Sequence, residues 1–412
     1  MNVLFLTLED FHSLDGHGIN QDLLREFVMH GHHVYVISPA ERRNSSRGKI
    51  IKRDKLMILK PLIGNIQKVG LIEKGISTVA IESLLVRAVK TKLKDVKIDL
   101  VLYNTPPITF CSVVEYVVKR DFAKSYLLLK DIFPQNSVDL GMLSKKGVKG
   151  VLYRYFRKKE KRLYKISDRI GCMSQANVDY VLKHNFEVAQ RDKRTRQLYG
   201  YATVEICPNS VEVVDLSVPE DEKRRIRDMY NIPQNKKVFI YGGNLGKPQG
   251  IDFMIQCLQS QAENKDAYFF IVGNGTEYGK VEEYIRRSKV KNVALHNWLP
   301  KEDYDKVVAS CDVGLIFLEH RFTIPNFPSR LLEYMKAKLP VLAVTDLNTD
   351  VGKVITDNGF GWWCESNDTD SFDKCLKLAK QEDLLLKGSK GFDYLMCHFN
   401  VESQYEKIIK IL

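Results

Sequence analysis

Three groups of residues have the types and spacing for chemistry. The first lies in residues 326–344, NFPSRLLEYMKAKLPVLAV. Pro328 and Ser329 predict a helix start, because proline is tolerated in a first turn and serine caps free amides. Leu331, Leu332, Met335 and Leu339 follow at helical spacing, and Pro340 stops the run before a strand over 341–344. Glu333 stands alone as the acid of that first turn. A helix start favours negative charge and holds phosphate readily. Glu333 therefore either complements the helix dipole or accepts hydrogen bonds from a sugar hydroxyl beside a bound diphosphate. The second group is the loop GGNLGKPQG, residues 242–250, placed between a strand and a helix. Its four glycines let backbone amides approach a phosphate closely, and Lys247 can add a charge. The third is Asp131 in LLLKDIFPQ, at the carboxyl end of a predicted strand, the edge where open α/β sheets bind ligands. Its plainer reading is a turn-former ahead of Pro134. His12, Asp15 and His17 share that edge in EDFHSLDGHGIN, residues 9–20, together with Gly16 and Gly18. The loop is not a dinucleotide fingerprint, because position 21 is glutamine.

The elements that must position these groups alternate regularly. Apolar runs over 3–8, 33–38, 99–103, 125–129 and 169–173 read as strands, with helices ending near His30 and spanning 77–94. Strand and helix repeated in this way predict a parallel sheet covered on both faces. The aperiodic stretch CPNSVEVVDLSVPE, residues 207–220, marks a boundary. Alternation then resumes with strands over 238–241, 267–272, 292–295 and 313–318. The expected division is 1–210, 211–395, and a C-terminal helix, 396–412, that returns to the first domain. A chain of 412 residues is too long for one ordinary core, which agrees with two domains.

Composition narrows the class further. There is no run of eighteen apolar residues and no signal-peptide pattern, so the expected location is the cytoplasm. The eight cysteines are scattered without a C-x-x-C pair and read as buried thiols. The net charge of +12 is concentrated. Residues 145–165 hold ten basic residues and one acid, Glu160, which points to a phosphate-bearing partner or an anionic surface. Val148, Leu152, Tyr155, Phe156 and Leu163 lie at helical spacing in the same segment. The expectation is that this apolar face packs on its own domain while the cations meet anionic lipid. No nucleic-acid-binding module accompanies the charge, so no nucleic acid is expected.

YGGNLGKPQG, IVGNGTE, HNWLP and FPSRLLEYMKAKLPVLAV, in that order and spacing, resemble the second domain of the retaining glycosyltransferases of family 4. LKDIFP is similar to the acidic motif in the first domain of bacterial members that build O-antigen and capsule sugars. The resemblance covers most of the chain. It implies the GT-B form of α/β fold, two Rossmann-like doubly wound domains facing a cleft. It also implies a nucleotide sugar, UDP-linked, held by the second domain. Gly242, Gly243, Asn244 and Lys247 would lie near the diphosphate, with Ser329 and Arg330 beside it and Glu333 on the ribose hydroxyls. Asp131 would be the catalytic residue that orients the sugar or the acceptor. His12, Gly16, His17 and Gly18 would form an acceptor or cleft loop. The implied activity is metal-independent sugar transfer with retention onto a lipid-linked saccharide, in bacterial surface polysaccharide synthesis at the inner membrane face. No cofactor is implied.

The chain departs from that pattern in two places. Many members carry two glutamates eight positions apart, but position 325 here is proline, and Glu319 stands at a different spacing. The arginine and lysine of the glycine loop are replaced by Asn244 and Gln249, which leaves Lys247 and Arg330 to neutralise charge. The one D-x-D candidate, Asp368 and Asp370, begins a helix late in the chain. Two other functions stay open. A sugar-nucleotide epimerase would use the histidines of residues 12–17, and an inactive binding subunit would fit the missing glutamate.

Overall fold

The computed structural model describes residues 1–45, 47–65, 71–185 and 203–412, with the backbone alone for 71–79. The chain forms two compact units, Met1–Glu212 with Val401–Leu412, and Val213–Asn400.

The first unit contains β1 (Asn2–Leu6), β2 (His33–Ile37), β3 (Ala40–Glu41), β4 (Lys49–Arg53), β5 (Leu56–Lys60), β6 (Leu62–Ile63), β7 (Leu100–Thr105), β8 (Lys124–Leu129), β9 (Arg169–Cys172) and β10 (Thr203–Ile206). Eight of them form one sheet in the order β10-β9-β8-β7-β1-β2-β5-β4, while β3 and β6 pair separately. Every pairing in the large sheet is parallel except β4 with β5. Val3–Leu6 of β1 and Leu100–Tyr103 of β7 are continuous apolar runs because both faces of these strands are covered. Val3, Phe5, Leu100 and Leu102 share one core with Leu23, Leu24 and Phe27 of the helix Ile19–Met29. The helix Val401–Ile409 closes this core. Tyr405 stacks on His30 at 4.2 Å, and its hydroxyl lies 2.8 Å from His32 Nε2.

The hairpin β4–β5 was not legible as strands. KIIKR has too many cations for a buried run, and its edge position is the reason. A row of lysine and arginine blocks further pairing at a sheet edge.

The second unit contains β11 (Lys237–Gly242), β12 (Ala267–Val272), β13 (Val293–His296), β14 (Val313–Phe317), β15 (Val341–Thr345) and β16 (Gly361–Glu365). They form one fully parallel sheet, ordered β13-β12-β11-β14-β15-β16. Phe239, Tyr241, Phe269, Leu315, Phe317 and Leu342 build its main core.

Each sheet reverses its strand order once, between β1 and β7 in the first unit and between β11 and β14 in the second. A crevice opens at the carboxyl ends of such a pair, because the loops leave in opposite directions. In the second unit those loops are the glycine loop after β11 and the segment from Leu318 to Ser329 after β14. In the first unit they follow β1 and β7.

Two expectations need correction. Seven cysteines are buried, but Cys397 is exposed. The last helix is two helices: Leu384–His398 belongs to the second unit, and Val401–Ile409 to the first. No helix among the described residues is long and apolar enough to cross a membrane.

Candidate functional site

The crevice of the second unit is built around Arg330. The helix that carries it, Arg330–Lys336, has only seven residues. Ser329 sits at its cap position in helical conformation and its side chain makes no capping bond, contrary to the expected serine cap. Leu331 and Leu332 donate their amides to Pro328 O and Ser329 O, which leaves little of the helix start unsatisfied. Leu339 is buried but lies beyond the helix.

The Arg330 side chain folds back over Tyr241, its guanidinium carbon 4.3 Å from the ring centroid. Its Nη1 is buried and has no hydrogen-bond partner among the described residues. A buried, unsatisfied cationic donor costs more free energy than almost any other polar group, so its persistence points to an anionic partner.

Gly243 makes the room for this arrangement. Its φ of +127° lies where side chains are strained, and a Cβ there would stand 3.3 Å from Arg330 Nη2. Gly242 is glycine for a different reason: a Cβ would lie 1.8 Å from the Tyr304 hydroxyl oxygen.

The expectation that the loop amides cradle a phosphate is not met at four positions. Gly242 N–H donates to the Tyr334 hydroxyl at 3.1 Å, and Gly243 N–H to Val272 O at 2.9 Å. Leu245 N–H donates to Asn274 O at 2.9 Å and Gly246 N–H to Gln249 Oε1 at 3.3 Å. The loop is instead sewn to its neighbours. The glycines of GNGTE permit this, since a Cβ on Gly273 would lie 1.9 Å from Gly243 O. Asn244 donates to Gln249 Oε1 at 3.0 Å, while the Lys247 side chain is exposed. Buried Tyr334 is the hub beneath, its hydroxyl 3.0 Å from Leu315 O and 3.2 Å from Ile240 O.

Glu333 lies on the same helix, with Oε2 3.0 Å from Lys301 Nζ and Oε1 3.9 Å from Lys336 Nζ. Lys301 also bonds Asp305. Glu333 is thus a paired carboxylate rather than a bare dipole partner. Glu319 is buried at the end of β14, held by Arg321 at 2.8 Å and His320 at 3.0 Å, and its amide donates to Pro248 O of the glycine loop. Sequence spacing missed Tyr241, Lys301 and Tyr304. Only Tyr241 carried a signal, as the residue just before the double glycine.

In the first unit, Asp131 follows β8 and has both oxygens engaged. Oδ1 accepts from Ile132 N–H and Oδ2 from Asn136 Nδ2, each at 2.7 Å. These bonds meet the turn-former reading of a residue that stands at the carboxyl end of β8. Burial pushes its carboxyl up to about 6. The neighbouring Lys130 donates to Asn20 Oδ1 at 2.8 Å, and burial lowers its ammonium to about 8. Asn20 donates in turn to Glu9 Oε2 at 2.7 Å.

His12 and His17 fall into separate clusters. His12 Nε2 lies 3.1 Å from Asp10 Oδ2, and the buried Lys60 ammonium bonds the other Asp10 oxygen. That lysine holds the Asp10 carboxyl below its usual range. His17 Nδ1 lies 3.7 Å from Glu212 Oε2. Arg25, unmarked in the sequence, ties this second cluster together. It donates to Gly16 O, Leu14 O, Asp22 Oδ1 and Glu212 Oε2. Gly16 and Gly18 have negative φ or extended backbone, so neither is demanded by a left-handed turn. His17, Asp22 and Glu212 are spaced as metal ligands could be, but Arg25 and the Glu212 amide already satisfy Asp22.

The basic segment forms the helix Gly147–Ile166. Only its second half packs as expected, through Leu163, Tyr164 and Ile166. Val148, Val151, Leu152 and Tyr155 are exposed at 89, 60, 46 and 42 %. The cations divide likewise. Arg157, Lys159 and Arg162 pair with Glu160, Glu82 and Glu115. Lys145, Lys146, Lys149, Arg154 and Lys158 are exposed without an acidic partner among the described residues.

Comparison with known proteins gives three findings. Residues 222–387, all within the second unit, match the family model described as Glycosyl transferases group 1. A Pseudomonas aeruginosa protein named as a glycosyltransferase, WbjE, is 27 % identical over 66 % of this chain and 63 % of its own length. WcaI of Escherichia coli K12, named for colanic acid biosynthesis, is 22 % identical over 60 % and 58 %. The chain thus spans less than two thirds of these curated relatives. Among solved structures, sucrose-phosphate synthase from Thermosynechococcus elongatus superposes with a TM-score of 0.75 at 13 % identity, covering 100 % and 98 % of the two chains. HepE from Anabaena in complex with UDP gives 0.67 at 14 %, covering 100 % and 99 %. Likeness along the whole chain shows the fold class to be GT-B, with two Rossmann-like α/β domains.

Proposed function

We propose that this chain is a glycosyltransferase that takes a sugar from a nucleotide diphosphate, UDP-linked, and passes it with retention to a lipid-linked saccharide in bacterial surface polysaccharide synthesis. One observation carries the reading: the unpaired, buried Nη1 of Arg330, on a guanidinium that stacks on Tyr241 beside Gly243. A diphosphate is the anion that suits it, and UDP in the structurally similar HepE supports the choice of nucleotide. The match of residues 222–387 to the group 1 family and the names of WbjE and WcaI support transfer and polysaccharide synthesis.

In this reading Arg330 stabilises the diphosphate as the bond from sugar C1 to its oxygen breaks, with Lys247 as a mobile second cation. Ser329 lies beside the diphosphate and Glu333 takes the ribose hydroxyls, exchanging part of its bond to Lys301. The acceptor hydroxyl forms the new C1–O bond on the face the diphosphate leaves, and its proton passes to the departing phosphate oxygen. Asp131 orients the sugar or acceptor. No metal or cofactor enters these steps.

The protein meets its acceptor at a membrane surface. The exposed stripe Val148, Val151, Leu152 and Tyr155 is flanked by Lys145 and Lys149 on one side and Arg154 and Lys158 on the other. Such a helix lies in an anionic interface with its apolar face down.

Incubation of the protein with a panel of nucleotide sugars and polyprenyl-diphosphate-linked acceptors tests the assignment. Transfer to an acceptor is the expected result. Isomerised nucleotide sugar, or binding without turnover, would replace it with the epimerase or the inactive-subunit reading.

A further inference from the structure

The first unit carries a concavity that the donor chemistry does not use. Between the edge hairpin β4–β5 and the helix Leu71–Lys92 runs a groove of about 340 Å3. Ile50, Leu59, Leu62 and Leu84 give it an apolar floor, while Lys49, Arg87 and Lys92 stand on its rim. Among the described residues no carboxylate lines it. Each of the three cations is exposed, and none has an acidic partner among the described residues. Some other cations of this unit are neutralised, as Arg53 is by Asp15, Lys159 by Glu82 and Arg162 by Glu115, whereas the groove cations, like those at the start of the basic helix, are not.

We propose that this groove holds the diphosphate and the first isoprenoid units of the acceptor lipid. The proposal rests on the lipid-linked acceptor of the preceding reading and gives that acceptor a place. An occupant must be apolar and multiply anionic at once. A neutral saccharide would leave three cations unused, and a free phosphate would leave the apolar floor bare. From Leu84 to Lys92 the helix runs about 12 Å along the groove, room for a chain lying lengthwise.

A neighbouring cavity completes the placement. Lys49 and Lys60 also line a second cavity of about 350 Å3, whose other polar residues include Glu9, Asp10, His12, Glu41 and Asn44. Lys49 and Lys60 are paired across β4 and β5, at the carboxyl end of β5. The saccharide end of the acceptor enters this second cavity, where carboxylates and His12 can meet its hydroxyls, the diphosphate meets Lys49, which lines both cavities, and the isoprenoid follows the groove.

Calorimetry on the full chain tests this with three soluble probes used below their micelle concentrations: farnesyl diphosphate, inorganic pyrophosphate and farnesol. Farnesyl diphosphate is expected to bind about tenfold or more tightly than either fragment. The triple variant Lys49→Ala, Arg87→Ala, Lys92→Ala should weaken it by about tenfold or more, since each lost bond to a charged group is substantial. Thermal unfolding should be unchanged, because all three side chains are exposed. Leu84→Gln should weaken farnesyl diphosphate while leaving pyrophosphate alone. Equal binding of pyrophosphate would reduce the groove to an anion site. Equal binding of farnesol would make it merely apolar, and an unaffected triple variant would place the lipid elsewhere; each result overturns the proposal. UDP affinity and sugar release from nucleotide sugars are measured on the same preparations. If they persist while farnesyl diphosphate fails to bind, the groove alone is refuted. If farnesyl diphosphate binds as expected but no nucleotide does, the transferase reading falls and the groove stands.

Discussion

Replacing Asp131 with asparagine should change stability by an amount that depends on pH. The folded carboxyl titrates at about 6 against an ordinary 3.8, and burial is the main cause. Because the folded value lies above the unfolded one, the group's contribution is fully present below the unfolded pKa and is lost as pH rises through the folded pKa. At about 1.36 kcal/mol per pKa unit, the full swing is about 3 kcal/mol, of which about 2 kcal/mol falls between pH 4.5 and 7.5. Asparagine does not ionise, but it satisfies only one of the two donors, Ile132 N–H and Asn136 Nδ2, at a cost of about 1 kcal/mol. About 1 kcal/mol of the swing is already lost at pH 4.5, where the unfolded parent has ionised, so Asp131→Asn should match the parent there and be more stable by about 2 kcal/mol at pH 7.5. Lys130, which titrates at about 8, is common to both chains and cancels. Urea unfolding at the two pH values measures the difference. All three tryptophans, at 298, 362 and 363, lie in the second unit, so far-UV dichroism not matched by tryptophan fluorescence reports the first. Turnover should fall even where the variant is more stable, as expected of a group kept for function. A stability difference that stays constant between the two pH values would refute the buried, charged carboxylate.

Three further outcomes follow from the geometry. Gly243→Ala should destabilise the second unit by about 1–3 kcal/mol, read by tryptophan fluorescence, and should lower UDP affinity, because its φ is strained for a side chain and the new methyl presses on Arg330. Glu333→Gln should weaken UDP by about 1.5–3 kcal/mol while Asp305→Asn, which removes the other partner of Lys301, leaves it unchanged; equal effects would make Glu333 a counter-ion only. Changing Lys145, Lys146, Lys149 and Arg154 to glutamine should abolish sedimentation with anionic vesicles, at about 1 kcal/mol for each cation. Changing Arg157 and Lys159 should instead lower thermal stability, since both pair with buried glutamates.

Much of the fold was legible because buried parallel strands announce themselves as apolar runs. β12 was read to the residue, and β1, β8 and β14 within two residues at each end. The cationic edge strand β4 gave no such signal. In the candidate site, the glycine loop and residues 329–333 could be located from glycine, proline and helical spacing. What those signals could not reveal was how the loop's amides are spent, since their partners at Val272 and Asn274 lie at the end of the neighbouring strand β12 and in the loop after it. Sequence spacing likewise placed Glu333 near a helix start but not its bond to Lys301, thirty-two residues away. The basic helix shows the same limit from the other side. Its apolar spacing was visible, but which half packs inward depends on neighbours such as Glu82 and Glu115.

In the proposed reading Arg330, whose Nη1 has no partner among the described residues, receives the diphosphate of a nucleotide sugar. Titration of UDP and of uridine into the parent chain and into Arg330→Gln tests it most directly. UDP should bind the parent much more tightly than uridine does. The variant should lose about 1.5–3 kcal/mol for UDP, roughly ten- to hundredfold, with uridine unaffected. UDP binding to Arg330→Gln with the parent's affinity would contradict it.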